Sequence, residues 1–168
     1  MTGVQTCALP ILETSGAIVF AKNPFILPIL NRHLEDKRIA REYLALCQGT
    51  FSQKQLTLRH KIGRDRHDRR KRVVDNRKGQ AAITHVTLLK KIGKNSLVAC
   101  QLETGRTHQI RVHLAHEGHA LVGDPLYSQK PAPRLMLHAH KLSLTHPLTL
   151  KEISVEARSH SFEADLKE

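Results

Sequence analysis

The chain has no tryptophan, and aromatic residues make up only 4% of its 168 positions, so its core has to be largely aliphatic. Its three cysteines, Cys7, Cys47 and Cys100, are odd in number and far apart, which argues against a disulfide framework. A reducing cytoplasm is the expected compartment. No apolar run approaches the roughly 20 residues needed to cross a bilayer. No charged region precedes the apolar residues at the start, so nothing there reads as a secretory signal. Internal repeats and low-complexity tracts are missing too. Acidic residues are scarce, at 15 against 27 Lys and Arg.

That imbalance leaves a net charge of +12, which points to a polyanionic partner. Much of it sits in residues 59–72, RHKIGRDRHDRRKR, where eight Arg or Lys stand against two Asp. Such an arm suits phosphate contacts, which supply affinity more than sequence choice. It has too little apolar face for a membrane surface. The bland reading is a flexible, solvated loop.

Hydrophobic periodicity predicts an α+β fold rich in strands. Ala17–Ala21 reads as a buried strand. Asn23-Pro24 opens a helix running to about Asp36, with Leu27, Leu30 and Leu34 inward, unless Pro28 delays its start. Residues 41–47, Leu56–Leu58, 82–89 and 96–102 read as strands, the last two joined through Lys94-Asn95. Strands over 134–144 and 152–157 follow, separated by His146-Pro147. A short amphipathic helix follows Glu103-Thr104-Gly105-Arg106, with Thr107 as N-cap, Ile110 and Leu114 inward, and Gly118 just past its end. Arg106 then falls at the helix N-terminus, a natural seat for an anion.

The ordered string ETGRTHQIRVHLA followed by GDPLY resembles the RluA-type RNA pseudouridine synthases. The resemblance runs from Leu12 to about Ala157. It implies the pseudouridine synthase fold, a mixed, mostly antiparallel sheet with a few flanking helices. It also implies isomerisation of uridine to pseudouridine in ribosomal or transfer RNA, with no metal and no cofactor. In that family an aspartate attacks the ribosyl uracil, and the base detaches, rotates and rejoins through carbon. The carboxylate nucleophile needs a cation beside it in a closed pocket, and the uridine must leave its stack. Arg111 matches the arginine that pairs with the nucleophile, Tyr43 the tyrosine that stacks on the base, and Ile110 the apolar pocket wall. Arg106 is a phosphate candidate, with Arg69, Arg70, Lys71 and Arg72 in the basic arm. Thr14, Ser15 and Gly16 match the end of the catalytic-loop motif H-R-L-D-x-x-T-S-G. Thr14 places the aspartate at position 11, which holds Ile11, and the His, Arg and Leu positions hold Ala8, Leu9 and Pro10.

Residues 1–11, MTGVQTCALPI, match the translation of a common short-read library adapter from a GTG start. They are read as an artefact fused to a truncated gene, which implies a genuine protein continuing upstream, with an RNA-binding domain as one possible addition. Residues 12–160 are then a partial catalytic domain and 161–168 a C-terminal tail. A monomer without metal or membrane is expected, and the chain as written should be inactive.

Two competitors remain. One is a non-catalytic RNA-binding protein, since the nucleophile is missing. The other is a metal-dependent hydrolase, suggested by His108, His113, His116 and His119. Against it, these histidines are spread around a helix, and no acidic or Cys partner stands at zinc-site spacing.

Overall fold

The computed structural model describes residues 14–166, so Ile11 and the adapter-like stretch lie outside the described residues. Among those described, one sheet carries the fold. Its strands are β1 (Ser15–Gly16), β2 (Ile39–Gln48), β3 (Gln55–Arg64), β4 (Arg72–Val74), β5 (Gln80–Ile92), β6 (Asn95–Leu102), β7 (Leu137–Thr145) and β8 (Glu152–Glu156). They run in the order β1-β7-β2-β6-β5-β3-β4, with β8 also on β7. Every pairing is antiparallel except β1 with β7. The helices are α1 (Leu27–Glu35), α2 (Gln109–His116) and α3 (His160–Asp165). This is the mixed, mostly antiparallel α+β sheet expected from the sequence.

Alternation fixes the inner face of the sheet. Tyr43, Ala45 and Cys47 of β2 share it with Val98 and Cys100 of β6, Val86 of β5 and Leu58 of β3, and Ile110 and Leu114 of α2 pack onto them. The thiols of Cys47 and Cys100 are free, and burial pushes Cys100 up to about 12, so it is inert at neutral pH. The opposite face receives α3, where Phe162 packs with Leu46 and Met136. The residues set apart as a tail therefore open on a helix whose Phe162 is 1% exposed.

Three elements differ from the sequence reading. Ala17–Ala21 is not a strand, and Ile18 and Phe20 are exposed. Only Ser15 and Gly16 pair with β7, at His138 and Ala139, because β8 occupies the same edge from Lys141 onward. The α1 helix starts at Leu27 with Pro28 in its first turn, where a missing N–H costs nothing. Most of the basic arm is a β-hairpin rather than a loop, since β3 runs to Arg64 and pairs with β4 from Arg72. Its connecting residues are shaped by two Asx turns. Asp65 Oδ1 accepts from the N–H of His67 and Asp68, and Asp68 Oδ1 from that of Arg70.

Candidate active site

Helix α2 carries the centre of the site. It is not amphipathic, because all six residues from Gln109 to Leu114 are buried. Each fills a different environment. Ile110 and Leu114 enter the main core. Val112 packs with Ile62, Ala82, Val74 and Tyr127. The Gln109 amide is fully engaged. Its Oε1 accepts from Thr104 Oγ1 and the Arg106 N–H, and its Nε2 donates to Ile83 O and Thr84 Oγ1. His113 meets Thr84 Oγ1 at 2.9 Å, and burial drives its pKa down to about 4. Gln109 and His113 are therefore buried tethers to β5.

The helix ends as expected at Gly118, with φ +83. The His119 N–H reaches Leu114 O and the Gly118 N–H reaches Ala115 O, the paired bonds of a Schellman motif. Its start differs. The N-cap is His108 rather than Thr107, held left-handed at φ 57 with no capping side chain. A non-glycine residue there stores roughly 1–2 kcal/mol of strain, a feature that clusters at functional sites.

Arg111 is 7% exposed. Its Nε and Nη2 donate to Oδ2 and Oδ1 of Asp124 at 2.8 and 2.7 Å. Asp124 is itself buried, and its Oδ1 also accepts from the N–H of Leu126 and Tyr127. One carboxylate thus folds the Gly-Asp-Pro turn and orients the guanidinium. The family resemblance pairs Arg111 with the nucleophilic aspartate, whose position holds Ile11; Asp124 gives it a counter-ion from within the described residues. The Tyr127 ring lies against the same guanidinium, 5.2 Å from its Cζ. The Tyr127 hydroxyl accepts from the Arg72 N–H at 2.8 Å and meets His108 Nδ1 at 3.0 Å. Burial, then Arg111 and Arg72, push His108 down to about 4, so its imidazole is neutral at physiological pH.

Tyr43 is half-buried against the core cluster that holds Ile110. Burial raises its phenol above the ordinary value, with Arg41 pulling the other way, so it stays protonated near neutrality. Arg41 bends over Gly105, where a Cβ would come 2.9 Å from Nη1. The Arg41 Nε is buried without a hydrogen-bond partner.

Thr14 and Ser15 line a cleft of about 550 Å³ with Gly123, Pro125, Pro133 and Arg134. This cleft flanks Asp124 in sequence on both sides. The Ser15 hydroxyl is tied internally, accepting from Arg134 Nη2 at 2.7 Å and meeting His138 Nδ1 at 2.8 Å. Its part is to fix the loop. Gly16 has φ +114, and a Cβ there would lie 2.2 Å from Ala139 O, so only glycine fits.

The phosphate candidates divide. Arg106 is exposed beyond the helix start, not at its first turn, and its Nε is bound to Ala81 O. In the hairpin loop Arg69 is exposed, whereas Arg70 is paired with Asp68 through Nε and Nη2. Lys71 and Arg72 are half-buried, and Arg72 Nη1 folds back onto the carbonyls of Arg69 and Lys71.

Of the four histidines singled out, only His116 joins a group among the described residues that could hold an ion: its ligand atom lies within 4.8 Å of those of His60 and Glu117, at the outer end of α2. Glu117 Oε1 is 3.0 Å from His60 Nε2, and these three could hold an ion.

Asp124, Tyr127 and Gln109 carry no expectation from the sequence, and His108 enters there only as a metal ligand. The Gly-Asp-Pro turn signal was the available clue, since its aspartate had to bond something.

Comparison with known proteins agrees with this geometry. The family model described as RNA pseudouridylate synthase matches residues 12–116. The uncharacterized RNA pseudouridine synthase YhcT of Bacillus subtilis is 47% identical over 160 residues, covering 92% of this chain and 51% of the relative. Ribosomal large subunit pseudouridine synthase D of Neisseria meningitidis serogroup B is 38% identical over 161 residues, covering 86% of this chain and 42% of the relative. The chain thus spans about half the length of the curated relatives it matches. The solved structure of human RNA pseudouridylate synthase domain containing 1 superposes with a TM-score of 0.79 at 29% identity, covering 94% of this chain and 69% of that one. With a family model spanning most of the chain and the THQIRVH helix, the GDPLY turn and the T-S-G loop in one place, the chain belongs to the RNA pseudouridylate synthase family, as an RluA-type member.

Proposed function

We propose that this domain is the catalytic unit of an enzyme that isomerises uridine to pseudouridine in structured RNA, with ribosomal RNA as substrate. It works as a cytoplasmic monomer without metal or cofactor. The observation that carries the reading is the buried Arg111 of α2, oriented by Asp124 beside the cleft where the T-S-G loop ends.

The residues take these roles. Asp124 grips Arg111 through Nε and Nη2 and so fixes how the guanidinium faces the nucleophilic carboxylate. Asp124 also balances the arginine's charge. Arg111 therefore acts as an aimed hydrogen-bond donor more than as a bare cation. Tyr43 presents a protonated phenol ring for the extruded base to stack on, with Ile110 behind it. Arg69 and Lys71 take backbone phosphates. Arg106 serves a flanking phosphate through the guanidinium nitrogens that Ala81 leaves unused.

Ile11 has no group able to attack carbon, so the chain as written binds RNA without modifying it. That observation also favours the second reading, a non-catalytic RNA-binding protein. The test combines Ala8→His, Leu9→Arg, Pro10→Leu and Ile11→Asp, then maps pseudouridine chemically in large-subunit ribosomal RNA and transfer RNA transcripts. Modification at discrete ribosomal positions is expected. No modification of either RNA by a folded, RNA-bound variant would favour the second reading.

A further inference from the structure

Arg72 opens β4, immediately after the loop 65–71, in which Arg66, Arg69 and Arg70 are exposed. Its backbone N–H donates to the Tyr127 hydroxyl at 2.8 Å. The same hydroxyl meets His108 Nδ1 at 3.0 Å, and the two rings stand edge to face, 5.8 Å apart. The Tyr127 ring in turn lies 5.2 Å from Arg111 Cζ, and the Tyr127 N–H is bound by the Asp124 carboxylate that grips Arg111. One residue therefore touches the basic hairpin, the strained N-cap of α2 and the central guanidinium.

We propose that Tyr127 is a positioning residue that couples the hairpin's hold on RNA backbone to the placement of Arg111, its hydroxyl joining Arg72 and His108 while its ring faces the guanidinium. This rests on the RNA-modifying function proposed above.

The physical argument is one of shared constraints. The hydroxyl has one proton and accepts the Arg72 N–H, so its own proton is available to Nδ1 of the neutral imidazole. His108 occupies a conformation that persists only where its surroundings over-determine it. Tyr127 is the contact its side chain makes toward the hairpin. A phosphate drawing on the loop 65–71 displaces Arg72, and the hydroxyl passes that displacement to both the helix start and the ring over Arg111. Loop and guanidinium then shift together, as two arrangements of one packed unit.

The experiment uses the chain as it stands, so it does not depend on a restored nucleophile. Arginine side chains are labelled with ¹⁵N, and the Nε–H signal of Arg111 is assigned with Arg111→Lys. A uridine-containing RNA hairpin is then titrated in. In the parent chain RNA binding should shift the Arg111 signal. Tyr127→Phe keeps the ring and removes both hydroxyl bonds. It should bind RNA with the same salt dependence, yet leave the Arg111 signal where it is. Tyr127→Leu, which removes the ring as well, should speed exchange of that proton about fivefold without RNA, the loss of a cation–π contact of about 1 kcal/mol. An Arg111 signal that moves as far in Tyr127→Phe as in the parent would overturn the coupling, and so would a parent signal that ignores bound RNA. Failure of the parent to bind RNA would overturn the proposed function itself, and this inference with it.

Discussion

Replacing Asp124 by asparagine isolates the charge of the pair that organises the site. Asparagine is nearly isosteric, and its Oδ1 can still accept the N–H groups of Leu126 and Tyr127. What it cannot do is balance Arg111. The side chains of the pair are 9% and 0% exposed, so water cannot replace the lost carboxylate. Removing one partner of a buried ion pair costs about 3–5 kcal/mol, and retention of the turn puts Asp124→Asn near 3 kcal/mol. For a domain of this size that is a fall in Tm of roughly 6–12 °C. With a urea m-value of about 2 kcal/mol/M, the midpoint drops by about 1.5 M. The chain lacks tryptophan, so unfolding is best followed by far-ultraviolet circular dichroism. Asp124→Ala should cost about 1–2 kcal/mol more, because two half-buried N–H groups, of Leu126 and Tyr127, lose their acceptor. A paired Arg111→Leu, Asp124→Leu variant should recover much of the loss. A midpoint within 0.3 M of the parent for Asp124→Asn, at unchanged m, would refute the claim that this pair is buried and mutually dependent.

Salt dependence of RNA binding should respond unequally within the hairpin. Arg69→Ala and Lys71→Ala should each lower the slope of log K against log salt by about 0.7–0.9, and Arg70→Ala by less, because Asp68 already holds that guanidinium; equal effects would dismiss the intramolecular pair. Stability should fall as pH drops from 6.5 toward 4. His113 is buried with its pKa lowered to about 4, so the unfolded chain binds a proton in this window that the folded chain does not. The slope approaches about 1.4 kcal/mol per pH unit for this imidazole, and His113→Gln should flatten it in urea titrations across pH. Gly16→Ala should fold poorly or cost more than about 3 kcal/mol, since it combines a left-handed backbone with a 2.2 Å approach to Ala139 O. A near-native midpoint for that variant would contradict the β1–β7 pairing.

Where the sequence carried a local signal, it was legible. The alternation in REYLALC and the apolar stretches of β5 and β6 gave strands, and Gly118 ended its helix. The family string led to Arg111 and Tyr43. Tertiary competition hid the rest. The run Ala17–Ala21 has a strand's composition, but β8 takes the edge it would have used. In β3 the inward Leu58 and Ile62 were masked by Arg59 and Lys61, which point to solvent and made a strand look like a charged arm. The helix α2 reads as amphipathic on paper, yet Gln109, Arg111 and His113 are buried because each finds a partner on a distant element. No periodicity encodes such partners. Asp124 lies 13 positions from Arg111 across a turn, and its second role could be seen only once that turn was folded.

Tritium release from RNA labelled at uracil C5 tests the central claim most directly. The chain as written should release none. The combined Ala8→His, Leu9→Arg, Pro10→Leu and Ile11→Asp variant should release tritium, and adding Arg111→Leu to it should abolish the signal. Release by the chain bearing Ile11 would contradict the account, because the nucleophile would then lie elsewhere. Undiminished release from the variant that also carries Arg111→Leu would remove Arg111 from the active site.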